Sequence, residues 1–230
     1  IATDENDEDV ADLGNLNDGN DAIAQLNDTV EDTGNIDYSD YIALIDTGAD
    51  DANVKFSVVG DDVNDSNGHG SKMLDLIKNE NPDAKIMSIK VFNGSTTDAA
   101  SVYAGIKLAI ENDVKIINLS LVGADVEKNS IVKEAIQEAI DKDIVVIGSA
   151  GNYNLSATKF IPGCIDKVIT IGASNSDGTK KSSSNYDVDY YVVADSTSEA
   201  TAIFTGMYSA NITEDARLYD GDFNPTVIVE

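Results

Sequence analysis

From residue 40 onward, short runs rich in Val and Ile alternate with longer stretches whose apolar residues recur every three or four positions. The apolar runs are Tyr41–Ile45, Val54–Val59, Ala84–Val91, Lys115–Leu121, Ile144–Ser149, Val168–Ala173 and Tyr190–Ala194. Several are nearly continuous, as strands buried on both faces of a parallel sheet must be. Between them, residues 99–111 set Val102, Tyr103, Ile106, Ala109 and Ile110 on one helical stripe, with Asp98 placed to cap the first turn. Residues 127–142 do the same with Ile131, Val132, Ala135, Ile136, Ala139 and Ile140. Strand–helix–strand alternation calls for right-handed crossovers. The pattern therefore predicts an α/β fold: a doubly wound, mainly parallel sheet with helices on both faces. In such folds ligands bind at the carboxyl ends of the strands.

Charge narrows the function classes. The 230 residues carry 42 acidic and 15 basic side chains, a formal net charge of −27. Binding a phosphate backbone needs clustered Lys and Arg, so nucleic acid is not an expected partner, and neither is an anionic membrane surface. No apolar run approaches the roughly 20 residues that span a bilayer. The single cysteine, Cys164, excludes an internal disulfide, and the single histidine, His69, excludes multi-histidine metal sites.

The acid is unevenly spread: thirteen Asp and Glu fall within residues 1–40, and the first basic residue is Lys55. Residues 1–20 read as a solvated acidic leader and residues 21–230 as one domain. Within 21–33, Ala22, Ile23, Leu26 and Val30 have the spacing of a short amphipathic helix. The start at Ile1, with no Met and no signal-like segment, suggests either a removed pro-segment or a sequence cut at that point.

The predicted strand ends carry the polar chemistry. The run Tyr41–Ile45 stops at Asp46-Thr47-Gly48. His69 sits between glycines, just before an apolar-patterned helix over Lys72–Lys78. The strand ending at Ser149 is followed by Ala150-Gly151-Asn152, and Ser196-Thr197-Ser198 leads into a helical stretch over Glu199–Met207. Alone, each is an ordinary turn or cap residue. Together, an acid, an imidazole, an amide and a hydroxyl are the inventory for acyl transfer. The acid orients the base, the base activates the nucleophile, and the amide donates to the oxyanion.

The local sequences around these positions resemble the subtilisin-like serine proteases, the subtilases. The matching segments are Ile42-Ala-Leu-Ile-Asp46-Thr-Gly48, Asp65-Ser-Asn-Gly-His69-Gly-Ser71, Ile117-Asn-Leu-Ser-Leu121, Ile147-Gly-Ser-Ala-Gly-Asn152, Ser183-Ser-Asn-Tyr186 and Ser196-Thr-Ser198-Glu-Ala200, with Gly206 following. The resemblance implies a serine endopeptidase in which Asp46 orients His69, His69 is the general base, Ser198 is the nucleophile and Asn152 donates to the oxyanion. It also implies a polypeptide substrate lying as an extended strand between Lys90–Ser95, including Gly94, and Ser120-Leu121-Val122-Gly123, with Ala150 and Gly151 lining the cleft.

The departures from the family pattern describe a compact, divergent member. Ser196 replaces a Gly, Glu199 a Met, Ala202 a Pro and Ser71 a Thr, and Lys72 stands where many members have a second His. Glu199 is expected to lie on the first helical turn and face water. The helix after His69 leaves no room for the calcium-binding loop of secreted subtilisins, so no cofactor is required. The Asp61-Asp62-Val-Asn-Asp65 cluster is the one remaining candidate for calcium. An extracellular or cell-surface bacterial setting fits the composition. Two rival readings exist: a subtilase fold whose site is inactive and which serves as a binding or regulatory module, and a non-protease α/β ligand-binding domain.

Overall fold

A computed structural model describes residues 36–212, 214–221 and 225–227. The acidic leader 1–20 and the short helix expected within 21–33 lie outside the described residues. The strands are β1 (Tyr41–Asp46), β2 (Val54–Ser57), β3 (Lys85–Lys90), β4 (Ile116–Leu119), β5 (Gly123–Ala124), β6 (Val145–Ser149), β7 (Phe160–Ile161), β8 (Ile169–Ser174), β9 (Tyr190–Val193), β10 (Glu214–Asp220) and β11 (Pro225–Val227). The helices are α1 (His69–Glu80), α2 (Ala99–Glu111), α3 (Ser130–Asp141) and α4 (Thr197–Ser209).

Among the described residues, nine strands form one sheet in the order β11-β10-β9-β8-β6-β4-β1-β3-β2. The neighbours from β2 to β9 pair in parallel, and β10 and β11 add antiparallel. The expected doubly wound α/β fold is what forms. Alternation along β1 shows why: Ala43 and Ile45 pack with Val102, Ile106, Val132 and Ile136 of α2 and α3, whereas Ile42 and Leu44 pack with Met73, Leu74, Ile77, Phe204 and Met207 of α1 and α4. Successive side chains of a strand point to opposite faces, so one apolar run supplies two cores. As expected, Asp98 caps α2, accepting from Ser101 N–H at 2.7 Å.

Chain order reverses at β1. The chain leaves β1 for β2 and β3 on one side, then returns to β4 on the other. The crevice at the carboxyl ends of β1 and β4 is therefore the switch point where such sheets bind ligands.

Helix α1 runs beside α4 in the same direction. Lys72 meets Glu199 near the start, Ile77 meets Gly206 midway, and Asn81 at the end of α1 meets Ser209. The approach is close enough that a Cβ on Gly206 would lie 2.6 Å from the Ile77 carbonyl oxygen. Past the helix ends, Arg217 of β10 grips Glu80 with two hydrogen bonds of 2.7 and 2.8 Å.

Three helix starts differ from the sequence reading. The helix expected over Lys72–Lys78 begins at His69, and the one expected from Glu199 begins at Thr197. Both proposed reactive side chains are thus inside first turns rather than ahead of them. The helix expected from residue 127 opens with a 3₁₀ turn, Glu127–Asn129, before α3 begins.

Candidate active site

Asp46 is the last residue of β1 and is buried. Its Oδ1 accepts the Thr47 N–H at 2.7 Å and lies 2.7 Å from His69 Nδ1. An ionised carboxylate only accepts, so the proton between them belongs to Nδ1 and the imidazole presents Nε2 as its basic nitrogen. His69, the first residue of α1, is brought to β1 by a glycine contact. A Cβ on Gly70 would sit 1.9 Å from the Gly48 carbonyl oxygen, which only the absence of a side chain permits.

The loop that delivers His69 is built on Asp65. Its Oδ1 accepts from Thr47 Oγ1 (2.9 Å), Asn67 N–H (3.1 Å) and Gly68 N–H (2.8 Å), and its Oδ2 accepts from Ser71 N–H (2.8 Å). Thr47 Oγ1 in turn accepts the Gly70 N–H at 2.9 Å, so the turn after Asp46 and the start of α1 share one network. Partial burial pushes the Asp65 carboxyl up, but the hydrogen bonds from Gly68, Ser71 and Thr47 outweigh it and hold the group below its ordinary value. A lowered carboxylate stabilises the fold fully above the ordinary Asp value of 3.8 and loses that contribution as pH falls through the lower folded value. Asp65→Ala strands several donors and should cost about 2–3 kcal/mol at neutral pH. Urea unfolding should show the parent and variant converging as pH drops below 3.8. A gap that stays constant with pH would contradict this.

The same network bears on the acidic cluster considered for calcium. Asp65 is occupied by protein donors, and Asp62 Oδ1 accepts from Asn64 N–H and Nδ2 at 3.0 and 2.9 Å. Among the described residues no three His, Cys, Asp or Glu converge as a metal site.

Ser198 lies on the first turn of α4 and is buried. The helix is capped by Ser196, whose Oγ accepts the Glu199 N–H at 3.3 Å. The serine standing where the family pattern has glycine thus has a structural role. The Ser198 hydroxyl donates to the Ser120 carbonyl at 3.0 Å, so in this geometry its proton is directed at the β4–β5 segment rather than at His69. Ser120 Oγ donates back to the Ser198 carbonyl at 3.1 Å. Behind it, Asn118 Nδ2 donates to Ser120 Oγ (2.9 Å) and Thr205 Oγ1 to Asn118 Oδ1 (2.8 Å). This buried polar chain ties β4 to α4. Its sequence signal is a lone Asn in the apolar run, within the matching segment Ile117–Leu121.

Asn152 follows β6. Its Oδ1 accepts the Thr197 N–H at 3.2 Å, which turns the amide nitrogen to the opposite side of the side chain. Thr197 Oγ1 also accepts from Ser149 Oγ (2.7 Å) and Gly151 N–H (3.2 Å). The Ala150–Leu155 loop is clamped by buried Asn185. That residue donates Nδ2 to the Ala150 carbonyl (2.7 Å) and its N–H to the Gly151 carbonyl (2.8 Å), and accepts from Tyr153 and Leu155 N–H at 3.0 and 2.9 Å. Asn185 was legible only as part of the Ser-Asn-Tyr segment.

Of the expected substrate-lining residues, Ser120, Leu121 and Val122 follow β4 and are buried, and Gly123 opens β5, paired with Ile161 of β7. Gly94 lies in a turn closed by Asn93 and Thr96, whose N–H and carbonyl groups bond each other. Strand β3 itself ends at Lys90.

Glu199 does not face water as expected. Its carboxylate is largely buried and pairs with Lys72 Nζ at 2.5 Å.

Comparisons with known proteins agree with the fold. The family model described as the subtilase family matches residues 27–221. The intracellular serine protease of Paenibacillus polymyxa is 33% identical over 178 residues, covering 64% of this chain and 54% of the relative. Subtilisin DY of Bacillus licheniformis is 29% identical over 174 residues, covering 66% and 63%. The chain spans about half the length of the curated relatives it matches. Among solved structures, a cold-adapted subtilisin-like serine proteinase superposes with a TM-score of 0.69 at 20% identity, covering 83% of this chain and 81% of the other.

Proposed function

This chain belongs to the subtilase family, and we propose that it is a serine endopeptidase that cleaves polypeptides through an acyl-enzyme. The observation that carries the reading is the 2.7 Å contact between His69 Nδ1 and buried Asp46 at the switch point of the sheet. Ser198, on the first turn of α4, is carried by the helix that packs along the His69 helix. In the proposed reaction Ser198 Oγ attacks the peptide carbonyl while its proton passes to His69 Nε2. Asp46 holds the tautomer and stabilises the imidazolium. The oxyanion is met by the Asn152 amide and the Ser198 N–H, which the helix start leaves without an intrahelical acceptor. The C–N bond then breaks as His69 gives its proton to the leaving amine. Water, deprotonated by the same imidazole, hydrolyses the ester and restores Ser198. These steps call on protein groups alone. The substrate is proposed to lie along Ser120–Gly123 and the Gly94 turn, with Ala150 and Gly151 beside it. A removed pro-segment would be a natural first occupant of that cleft. An extracellular or cell-surface setting is proposed on the acidic composition, although one relative is named for an intracellular enzyme.

The Ser198–Ser120 hydrogen bond favours a second reading, a resting or inactive site used for binding. A fluorophosphonate separates the two, because its phosphorus accepts attack only from an activated serine. Mass spectrometry is expected to find one adduct, on Ser198. A folded protein that stays unlabelled selects the binding reading.

A further inference from the structure

Two departures from the family pattern, Lys72 and Glu199, are 127 positions apart and meet at 2.5 Å. Lys72 is three residues beyond His69 on α1, a spacing that puts both on one helix face. Glu199 directly follows Ser198 on α4. We propose that Lys72 and Glu199 are a positioning pair. They join the helices that carry His69 and Ser198, and Lys72 neutralises a carboxylate that would otherwise oppose negative charge developing beside Ser198. The proposal rests on the protease reading of that site.

The two partners are not equivalent. The Glu199 side chain is 16% exposed and the Lys72 side chain 60%. A largely buried carboxylate stripped of its partner is left in a poorly solvated place, whereas a lysine that loses its carboxylate turns to water. Removing Lys72 should therefore do more harm than removing Glu199, and removing both should restore function. A simple structural brace behaves differently, since the double variant lacks the brace as fully as either single one.

On α1 itself, Asp75 lies one turn beyond Lys72, and other charged groups come from the neighbouring segments. Asp46 faces His69 from β1, Asp65 holds the loop before α1, and Asp195, paired with Lys181 at 2.9 Å, precedes α4 and gives its N–H to Glu199 at 3.4 Å. Lys72 is the cation bonded to Glu199.

The test uses the parent, Lys72→Met, Glu199→Gln and the double variant. His69 is the only histidine, so its imidazole NMR signals are unambiguous and report the local charge without any turnover. Loss of the Lys72 charge should raise the His69 titration midpoint by about half a pH unit. Glu199→Gln should lower it, and the double variant should return it to the parent value. The rate of fluorophosphonate labelling at Ser198 should fall about tenfold in Lys72→Met and recover to within about twofold in the double variant. Lys72→Arg, which keeps the charge, should match the parent and guards against a fold defect in Lys72→Met. A midpoint unmoved by Lys72→Met, or a double variant as slow as Lys72→Met, overturns the proposal. A parent that does not label sinks the protease reading, and the His69 midpoints still decide the pair.

Discussion

Ser198→Ala is expected to lower kcat on a peptide substrate about a million-fold, the scale known for subtilisin itself. The reason is chemical. A serine hydroxyl scarcely ionises near neutral pH, so attack depends on a base taking its proton as the bond forms. In the geometry described, that proton lies on the Ser120 carbonyl, and Ser198 must turn about its Cα–Cβ bond to reach His69. A staggered rotation of this kind is inexpensive beside the barrier it serves. On the proposed reading substrate would also favour it, because a peptide strand paired along Ser120–Gly123 would compete for the same carbonyl. His69→Ala should cost about as much as Ser198→Ala, and the double variant no more than either, because the two act as one unit. Asp46→Asn should cost about ten-thousandfold, since the amide selects the wrong imidazole tautomer. Burst kinetics with an activated ester, followed by steady-state turnover of a peptide anilide, measure all four. A Ser198→Ala variant that keeps more than a hundredth of parental kcat would remove Ser198 from the nucleophile's role.

Much of this candidate site is legible in residues taken in sequence order, for a physical reason. Asp46, His69, Asn152 and Ser198 each sit at the end of a strong local pattern: a Val/Ile run, a glycine-flanked turn, a second run, a capped helix. Local patterns set where strands end, and strand ends in a doubly wound sheet share one edge. What escaped depends on partners distant in sequence. Nothing near Glu199 announces that its carboxylate turns to Lys72 on another helix. In sequence Asp65 is one acid among several, and only its hydrogen bonds to Thr47, Gly68 and Ser71 set it apart. Strand β10 escaped for another reason. In Glu214–Asp220 only Leu218 is buried, so the segment has no apolar periodicity, and its place is fixed by antiparallel pairing with β9. The two-residue strands β5 and β7 are shorter than any period that could reveal them.

Asn152→Ala is expected to lower kcat by about 10²–10³ while leaving KM nearly unchanged, again the scale known for subtilisin. The orientation of the amide decides what it can donate to. Oxygen and nitrogen of an Asn side chain look alike in shape, and only the partners decide which is which. Here Thr197 N–H occupies Oδ1, so the amide hydrogens point to the other side of the side chain. The loop is also held stiffly. Gly151 has a φ of +96°, a Cβ there would lie 2.8 Å from Asn185 Nδ2, and Asn185 binds the loop backbone on both sides of Asn152. A donor fixed in advance spends nothing on reorganisation when the oxyanion forms, and it has little to offer the neutral carbonyl of the bound substrate. The loss should therefore appear in kcat and not in KM. Asn152→Asp keeps the shape, removes the donor and adds a charge of the wrong sign, so it should be at least as slow as Asn152→Ala. Asn185→Ala should lower kcat by a smaller factor, through loosening of the loop, and should lower stability as well. An Asn152→Ala variant that raises KM and leaves kcat untouched would place Asn152 in ground-state binding and leave the oxyanion to the Ser198 N–H alone.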